Sequence, residues 1–225
     1  MVLKNFAVIE GCDGSGTTTQ VKLLETALKN EAPREPPAFM AAEPKPRYNN
    51  PPFFITFEPT HGPVGLLIRR ILNGEINAEK GTIARLFAAD RGEHLHAPGG
   101  ILERCNRDEL VISDRYTPSS LVYQGLECGP ELPEALNSAF PLPELLIYLD
   151  IDSGRAMSRI KERKGKKEIY ERLEFQTRVR AAYLKLIPEY EKSGVRVLSL
   201  DGDKDPAQLA REIWVAVCKM PIMNR

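Results

Sequence analysis

The sequence predicts a three-layer α/β fold in which helices cover both faces of a five-stranded parallel sheet. Apolar runs of strand length alternate with segments whose apolar residues recur at helical spacing, a pattern typical of parallel strands joined by crossover helices. No internal repeat and no linker divides the chain into comparable halves. We therefore expect one domain that spans residues 1–225.

The strands and the crossover helices can be assigned in order along the chain. The apolar runs of strand length are Phe6–Glu10, Phe53–Phe57, Leu110–Asp114, Leu145–Asp150 and Val195–Leu200. Two sets of apolar residues with helical spacing are Val21, Leu24 and Leu28, and Leu209, Ile213 and Val217. Each set lies on one face of a helix, as expected for a helix packed on a sheet.

Two segments depart from this alternation. Seven of the 18 prolines fall within residues 33–52, which rules out a helix or a central strand there and predicts a surface insertion. A passive loop is favoured over a polyproline motif for a partner. Residues 159–172 carry seven Lys or Arg side chains, which taken alone indicate a solvated helix and turn.

The composition and the distribution of apolar residues exclude three classes of protein. The 225 residues include 31 basic and 31 acidic side chains, and this balance argues against a nucleic-acid-binding protein. Hydrophobic residues make up 42% of the chain, too many for a disordered one. No stretch approaches the ~20 apolar residues of a membrane-spanning helix. We therefore expect neither nucleic acid nor a membrane as a partner.

The cysteines and the first ten residues predict a cytoplasmic protein. Cys12, Cys105, Cys128 and Cys218 are scattered, with no Cys-x-x-Cys pair. Residues 1–10 lack the long apolar segment of a signal peptide. We expect reduced thiols and no disulfide framework.

The glycine-rich turn after the first strand predicts a phosphate-binding loop. Gly11, Gly14 and Gly16 allow a tight turn close to a ligand, and the helix that follows offers free N–H groups to an anion. Thr18 stands at the Ser/Thr position that ligates Mg²⁺. Thr17 stands where the phosphate-loop pattern has lysine. A glycine-rich turn without a ligand is the alternative.

Asp13 is unusual within such a loop. A carboxylate there would repel phosphate unless its side chain points toward a hydroxyl or a basic partner. A second ligand that carries a sugar hydroxyl would fit this arrangement.

Polar residues follow the second and third predicted strands. Glu58 comes after the second strand, with Arg69 and Arg70 on the next helix, and Asp114 and Arg115 end the third strand. The carboxyl ends of parallel strands form the usual ligand site of such a sheet. The adjacent opposite charges of Asp114 and Arg115 predict a place where phosphate and metal meet.

A helix through residues 86–94 predicts a pocket for a nucleobase. Phe87, Asp90, Arg91 and His94 share one of its faces. An aromatic platform beside a guanidinium suits a base better than a plain core face does. With no third metal ligand nearby, His94 and His96 are expected as surface or capping residues.

Taken together, these motifs resemble the thymidylate kinase family nearly from end to end. The matching segments are the Asp-Gly-Ser-Gly loop at 13–16, Glu58-Pro59, Ile68-Arg69, Leu86 to Arg91, Asp114-Arg115-Tyr116 and Ser119 to Gly125. The resemblance implies a P-loop kinase fold that transfers the γ-phosphoryl group of ATP to dTMP with Mg²⁺. It also implies a homodimer and a lid at residues 159–172 that closes over ATP.

The resemblance implies a role for each matching residue. Phe87 would stack on thymine, Arg91 and Gln124 would bind the base, and Asp13 would hold the 3′-hydroxyl. Arg69 and Arg115 would grip the dTMP phosphate, Tyr123 would exclude a 2′-hydroxyl, and Glu58 and Asp114 would lie near the metal and the transferred group.

The candidate sites implied by the resemblance fall into four sets. The dTMP-binding set is Asp13, Glu58, Arg69, Phe87, Arg91, Arg115, Ser120, Tyr123 and Gln124. The ATP-binding set is Gly11, Asp13, Gly14, Ser15, Gly16, Thr17, Thr18 and Thr19. The metal set is Thr18 and Asp114, and the catalytic set is Asp114, Arg115, Arg159 and Arg163.

Three features depart from the family pattern: Thr17 in place of lysine, Phe57 where many bacterial relatives have arginine, and the proline-rich insertion. Arg159 or Arg163 is the hypothesised source of the missing charge, since the two share a helix face. Two alternatives remain open at this point. One is another small P-loop kinase, such as a deoxynucleoside kinase, and the other is a nucleotide-binding regulator without turnover.

Overall fold

The computed structural model describes residues 1–29, 51–162 and 169–224. Most of the predicted surface insertion at 33–52 and the central part of the predicted lid, including Arg163, lie outside these residues. Only the end of the insertion is described, where the carbonyl of Pro52 accepts a hydrogen bond of 2.8 Å from the Leu110 N–H.

The sheet has five parallel strands in the order β2-β3-β1-β4-β5. The strands are β1 (Val2–Gly11), β2 (Phe53–Phe57), β3 (Leu110–Asp114), β4 (Leu142–Asp150) and β5 (Arg196–Asp201). The five predicted strands are thereby confirmed, and β2 and β3 have the predicted bounds.

The first strand begins four residues before its predicted start. Its register against β4 shifts between Leu3 and Ala7, and Asn5 within this irregularity has a positive φ of 64°. The Asn5 N–H donates to Glu144 Oε2 at 2.7 Å, and its side-chain amide donates to the Cys105 carbonyl at 3.1 Å. These bonds to other segments keep Val2 and Leu3 in the strand despite the polar interruption.

Nine α-helices are seen among the described residues. They are α1 (Thr17–Lys29), α2 (Pro63–Leu72), α3 (Lys80–His96), α4 (Ile101–Asn106), α5 (Thr117–Cys128), α6 (Glu131–Asn137), α7 (Ser153–Glu162), α8 (Leu173–Lys192) and α9 (Pro206–Cys218). A short 3-10 helix, Pro221–Asn224, follows. None of the helices in the described ranges is long and apolar enough to cross a membrane.

Two hydrophobic cores lie between the sheet and the helices that cover its two faces. One lies between the sheet and helices α1 and α9, where the predicted apolar stripes of both helices are buried. The other packs α2 to α5, α7 and α8 on the opposite face. Alternate strand residues serve the two cores, as Ala7 faces one and Val8 the other. The three-layer prediction is confirmed.

The order of the strands determines where a ligand can sit. β1 lies between β3 and β4, and the chain turns from β1 into the glycine-rich loop at Gly11. Phe57 and Asp114 end the strands on one side, and Asp150 ends the strand on the other. The crevice beyond the carboxyl ends of these strands is the standard binding position in such a sheet.

Candidate active site

A single cleft of about 860 Å³ opens at this edge of the sheet. The predicted site residues that line it are Asp13, Gly14, Ser15, Gly16, Thr17, Thr18, Thr19, Glu58, Arg69, Phe87, Arg91, Asp114, Arg115, Tyr123, Gln124 and Arg159. Gly11 and Ser120 lie behind its wall, bonded to Arg115 and Arg91 respectively. Arg163 lies outside the described residues.

The phosphate loop is held by its backbone. The Ser15 N–H donates to the Cys12 carbonyl at 3.0 Å, and Gly14 and Gly16 have φ values of +84° and +101°. A Cβ on Gly14 would lie 2.4 Å from the Ala156 carbonyl oxygen of α7, so only glycine allows this approach. Helix α1 begins at Thr17, and its first N–H groups have no partner within the helix. The loop can therefore bind an anion through main-chain donors.

Thr18 and Asp114 form a pair at the base of the cleft. The Thr18 hydroxyl donates to Asp114 Oδ2 at 2.6 Å. Asp114 is 8% exposed, and its Oδ1 is buried with no hydrogen-bond partner among the described residues. A buried carboxylate oxygen without a donor can accept a cation that the phosphate loop also reaches.

Asp13 has both kinds of partner that its position in the loop requires. Its Oδ1 accepts from Arg115 Nη2 at 2.7 Å and from the Tyr123 hydroxyl at 3.0 Å. Its Oδ2 accepts from Gln176 Nε2 at 2.8 Å, and the Asp13 N–H donates back to Gln176 Oε1 at 3.1 Å. The carboxylate therefore points away from the anion-binding groups of the loop.

Arg115 is fixed by its backbone and by four neighbours. Its φ is +74°, and its Nη1 donates to the Gly11 carbonyl at 2.9 Å and to the Ser119 hydroxyl at 3.0 Å. The guanidinium also lies 5.4 Å from the ring centroid of Tyr123. With Asp13 on the other side, the cation stands between the phosphate loop and the rest of the cleft.

The buried carboxyl of Glu10 holds the residues next to Arg115 in place. It is fully buried and accepts hydrogen bonds from the Tyr116 N–H (2.9 Å), the Ser119 hydroxyl (2.7 Å) and the Tyr183 hydroxyl (2.8 Å). Burial raises the pKa of the Glu10 carboxyl above its usual value, although Arg115 and the donors oppose the shift. Glu10, which directly precedes the phosphate loop, thereby connects the end of β1 to the start of α5.

A second network lies at the other end of the cleft. Arg91 is 1% exposed, and its Nε and Nη2 donate to Glu58 Oε2 at 2.9 and 2.7 Å. Its remaining partners are the Ser120 hydroxyl, the Tyr116 carbonyl and the side-chain oxygen of Asn137. The guanidinium that was predicted to meet a base is therefore fixed in place by protein groups.

Glu58, which was expected near the metal and the transferred group, is paired within the protein. Both of its carboxylate oxygens are bonded, Oε2 to Arg91 and Oε1 to His94 Nδ1 at 3.0 Å. The expectation for His94 was wrong, because its side chain is only 7% exposed and its Nε2 meets the Thr56 hydroxyl at 2.5 Å. Helical spacing placed His94 on the Arg91 face but could not show that the carboxylate of Glu58, which follows β2, would meet it there.

The remaining predicted residues of this end surround the same space. The Arg69 guanidinium lies 5.4 Å from the Phe57 ring centroid and donates to the Pro59 carbonyl. Phe87 is partly buried against the core, and Gln124 Oε1 is buried without a partner among the residues described. Arg70, by contrast, is on the surface beside Glu75.

Arg159 lies at the far side of the phosphate loop. Its Nη1 donates to the Gly202 carbonyl at 2.9 Å, and its Nη2 is 3.3 Å from Asp203 Oδ1. Both partners belong to the loop between β5 and α9. The described arrangement therefore ties Arg159 to that loop rather than to the position of the missing lysine.

A sequence profile of the family described as thymidylate kinase matches residues 9–213. The chain belongs to the thymidylate kinase family.

Relatives provisionally named thymidylate kinase support this assignment. One from Treponema pallidum is 37% identical over 182 residues, covering 81% of this chain and 78% of the relative. One from Methanococcus aeolicus is 33% identical over 214 residues and covers 94% of both chains. The fold is also similar to that of a solved thymidylate kinase from Candida albicans, with a TM-score of 0.68 at 23% identity over 95% of this chain and 91% of that one.

Three residues of this thymidylate kinase family site were missed by reasoning from the sequence. Glu10 carried a signal, since it is a charged residue in an otherwise apolar strand. His94 was noticed but assigned to the surface. Gln176 gave no signal, because its contact with Asp13 joins positions 163 residues apart.

Proposed function

We propose that the protein is a thymidylate kinase, which transfers the γ-phosphoryl group of ATP to dTMP and forms dTDP. The observation that carries the proposal is that one cleft joins a phosphate loop to a pocket lined by an aromatic ring and a guanidinium, with Arg115 between them. The family and the names of the relatives support the same reaction.

The acceptor nucleotide occupies the end of the cleft near α3. Phe87 offers a stacking surface, Arg91 and Gln124 offer polar groups to the base, and Ser120 helps to hold Arg91. Asp13 and Tyr123 meet the deoxyribose, and Arg69 and Arg115 meet the phosphate. A fork of donors suits a phosphate because it can bind two oxygens at once.

ATP occupies the end of the cleft near α1, with its phosphates on the N–H groups of the glycine-rich loop. Mg²⁺ fits there, because Asp114 Oδ1 is buried without a donor beside the Thr18 hydroxyl. No group of three or more His, Cys, Asp or Glu side chains in the described part of the chain could hold a metal by itself. This agrees with Mg²⁺ sites in which nucleotide phosphates complete the ligand set. When bound, the ion neutralises charge on the β- and γ-phosphates.

The chemistry requires positioning and charge rather than a base. The attacking oxygen already belongs to a phosphate, so no protein group has to remove a proton from it. A deoxynucleoside kinase would need a carboxylate beside a 5′-hydroxyl. Glu58 and Asp13 are both bonded to arginines here, which favours the monophosphate as acceptor.

Thr17 brings no charge to the transferred group, so another cation has to supply it. Arg159 is the candidate among the described residues, because it lines the cleft on the helix that contacts Gly14. Closing of the lid would have to exchange its contacts with Gly202 and Asp203 for the phosphate. We expect Arg159→Ala to lower kcat by ~10²-fold with little change in dTMP affinity, as measured by steady-state kinetics. Unchanged kcat would move this role to Arg163 or another group.

A coupled ADP-release assay with dTMP, thymidine and dUMP tests the proposal. We expect turnover with dTMP to exceed that with thymidine. Preference for thymidine would indicate a nucleoside kinase, and nucleotide binding without turnover would indicate a regulator. The resemblance also implies a homodimer, which sedimentation would test, and the cytoplasmic location expected from the scattered cysteines would be tested by cell fractionation.

A further inference from the structure

The buried imidazole of His94 joins β2 to α3 behind the acceptor end of the cleft. Its Nε2 lies 2.5 Å from the Thr56 hydroxyl, and its Nδ1 lies 3.0 Å from Glu58 Oε1. Its side chain is 7% exposed and that of Glu58 is 3% exposed. One helical turn separates His94 from Arg91, so the two side chains reach the same carboxylate from one face of α3.

The partners determine where the proton of His94 lies. A carboxylate can only accept hydrogen bonds, and Arg91 already uses Oε2 of Glu58 with two donors. The other oxygen, Oε1, is therefore bonded by an N–H on Nδ1 of His94. In the neutral imidazole Nε2 is then an acceptor, which the hydroxyl of Thr56 satisfies. The side chains of Thr56, His94, Glu58 and Arg91 thus form a continuous series of hydrogen bonds in which each donor meets an acceptor.

Arg91 is held from several directions, but among the described residues Glu58 is the ion-pair partner that balances its charge. The Tyr116 and Phe140 ring centroids lie 5.2 and 5.7 Å from the guanidinium carbon. Its direct ion pair is with Glu58, and Glu58 in turn has one oxygen left to be fixed. Without His94 that oxygen would be buried and unsatisfied, and the carboxylate could rotate to find another donor. Rotation would carry the Arg91 guanidinium with it.

We infer that His94 is a positioning residue for the acceptor: through Glu58 it fixes the guanidinium of Arg91 in the orientation that binds the nucleobase. The inference rests on the proposed function. His94 does not line the cleft and is not itself a ligand of the nucleotide. Its effect therefore falls on binding of dTMP, whereas ATP meets the opposite end of the cleft.

Two variants at position 94 and one control test this role. His94→Leu removes both hydrogen bonds. His94→Asn keeps a donor where Nδ1 stands and loses only the contact with Thr56. His96→Leu makes the same change two residues along α3 at an exposed position. All three are compared with the unmodified protein for KM and kcat with each substrate and for melting temperature.

We expect His94→Leu to raise the KM for dTMP about 10-fold or more, because a displaced Arg91 guanidinium would lose a charged hydrogen bond to the base, and such a bond is worth ~1.5–3 kcal/mol. Its KM for ATP and its kcat at saturating dTMP should stay within about 3-fold of the unmodified protein. His94→Asn should restore most of the dTMP affinity, and His96→Leu should match the unmodified protein.

Other outcomes would overturn the inference. If dTMP and ATP affinities fall together, or if His94→Asn binds dTMP no better than His94→Leu, the residue only stabilises the fold. An unchanged KM for dTMP in His94→Leu would equally contradict it. Failure of the proposed function itself is recognised separately, because the unmodified protein would then not turn over dTMP at all.

Discussion

The two ends of the cleft differ in the groups that form them, which are mainly backbone groups at one end and side chains at the other. At the donor end, beside α1, the phosphate loop uses main-chain N–H groups and glycine conformations, with Thr18 and Asp114 as a single side-chain pair. At the acceptor end, beside α3, nearly every polar side chain is bonded to another, as in the sequence Thr56, His94, Glu58 and Arg91. A backbone site depends on local conformation, whereas a side-chain site depends on contacts between distant segments.

This difference has a consequence for mutation. A substitution at the donor end changes the conformation of one loop, so it should lower the affinity for ATP and the stability of the fold together. A substitution at the acceptor end removes contacts from a network of side chains, so it should lower the affinity for dTMP selectively. Arg115 contacts both ends, since it is bonded to the Gly11 carbonyl of the phosphate loop and lies 5.4 Å from the ring centroid of Tyr123 at the acceptor end.

The largest effect is expected at this shared residue. Arg115→Ala should lower kcat/KM for dTMP by at least ~10²-fold, because a preorganised cation near the transferred phosphoryl group is lost. Steady-state kinetics at several concentrations of both substrates would measure it. Arg115→Lys should recover little, because an ammonium cannot bond Gly11, Ser119 and Asp13 together as the guanidinium does. Near-normal activity of Arg115→Lys would contradict the fork-like role, and exposed Arg107→Ala is the matched control.

Two glycines of the phosphate loop test the donor end. Both have positive φ, so alanine should cost ~1–3 kcal/mol of strain at either. Only at Gly14 would the new Cβ also meet the Ala156 carbonyl, at 2.4 Å, whereas nothing lies within 4 Å at Gly16. Gly14→Ala should therefore lose more thermal stability and more ATP affinity than Gly16→Ala. Equal losses in melting curves and ATP titrations would mean that contact with α7 does not shape the loop.

The aromatic residue of the acceptor end should have a smaller and more selective effect. Phe87→Ala should raise the KM for dTMP about 10-fold, since stacking of a base on an aromatic ring is worth ~1–3 kcal/mol. The KM for ATP should not change. Unfolding without a selective loss of dTMP affinity would identify Phe87 as a core residue only. Calorimetric titration with each nucleotide, beside a melting curve, distinguishes these results.

The smallest expected effect is a pH dependence of the unfolding free energy, caused by the buried carboxyl of Glu10 near Arg115. Burial raises the pKa of Glu10 in the folded protein, so its contribution to stability is complete below the unfolded pKa of ~4.3 and is lost as pH rises through the folded pKa. Glu10→Gln does not titrate. The unfolding free energy of the unmodified protein should therefore fall relative to that of Glu10→Gln as the pH rises from about 5 to about 8. Denaturant unfolding at both pH values measures the shift, and a constant difference would show that Glu10 is not perturbed.

The fold was predictable to the extent that its signals are local. The bounds of β2 and β3 follow from apolar runs bordered by polar residues, such as Glu58 after Phe57. The phosphate loop follows from glycine spacing, because positive φ is a property of single residues. The start of β1 was misplaced because bonds from Asn5 to remote segments maintain the strand there.

The interactions of the acceptor end were less predictable for the same reason. The sequence indicated that Arg91 and Glu58 belong to the site, but not that they bind each other across 33 positions. His94 looked like a surface residue because a polar side chain near a helix end is more often exposed than buried. The partner that reverses this expectation, Thr56, lies on a strand that the helix pattern does not reveal.

The position of β1 in the sheet also has a consequence for the biogenesis of the protein. Phe6 pairs with Val111 and Ala7 with Leu145, so β1 is flanked by strands that are synthesised more than a hundred residues after it. Pairing over such separations is slow, because the intervening chain must lose its freedom first. The phosphate loop that follows β1 is therefore synthesised long before the strands that fix it, and a nascent chain that ends before β4 has no completed nucleotide site.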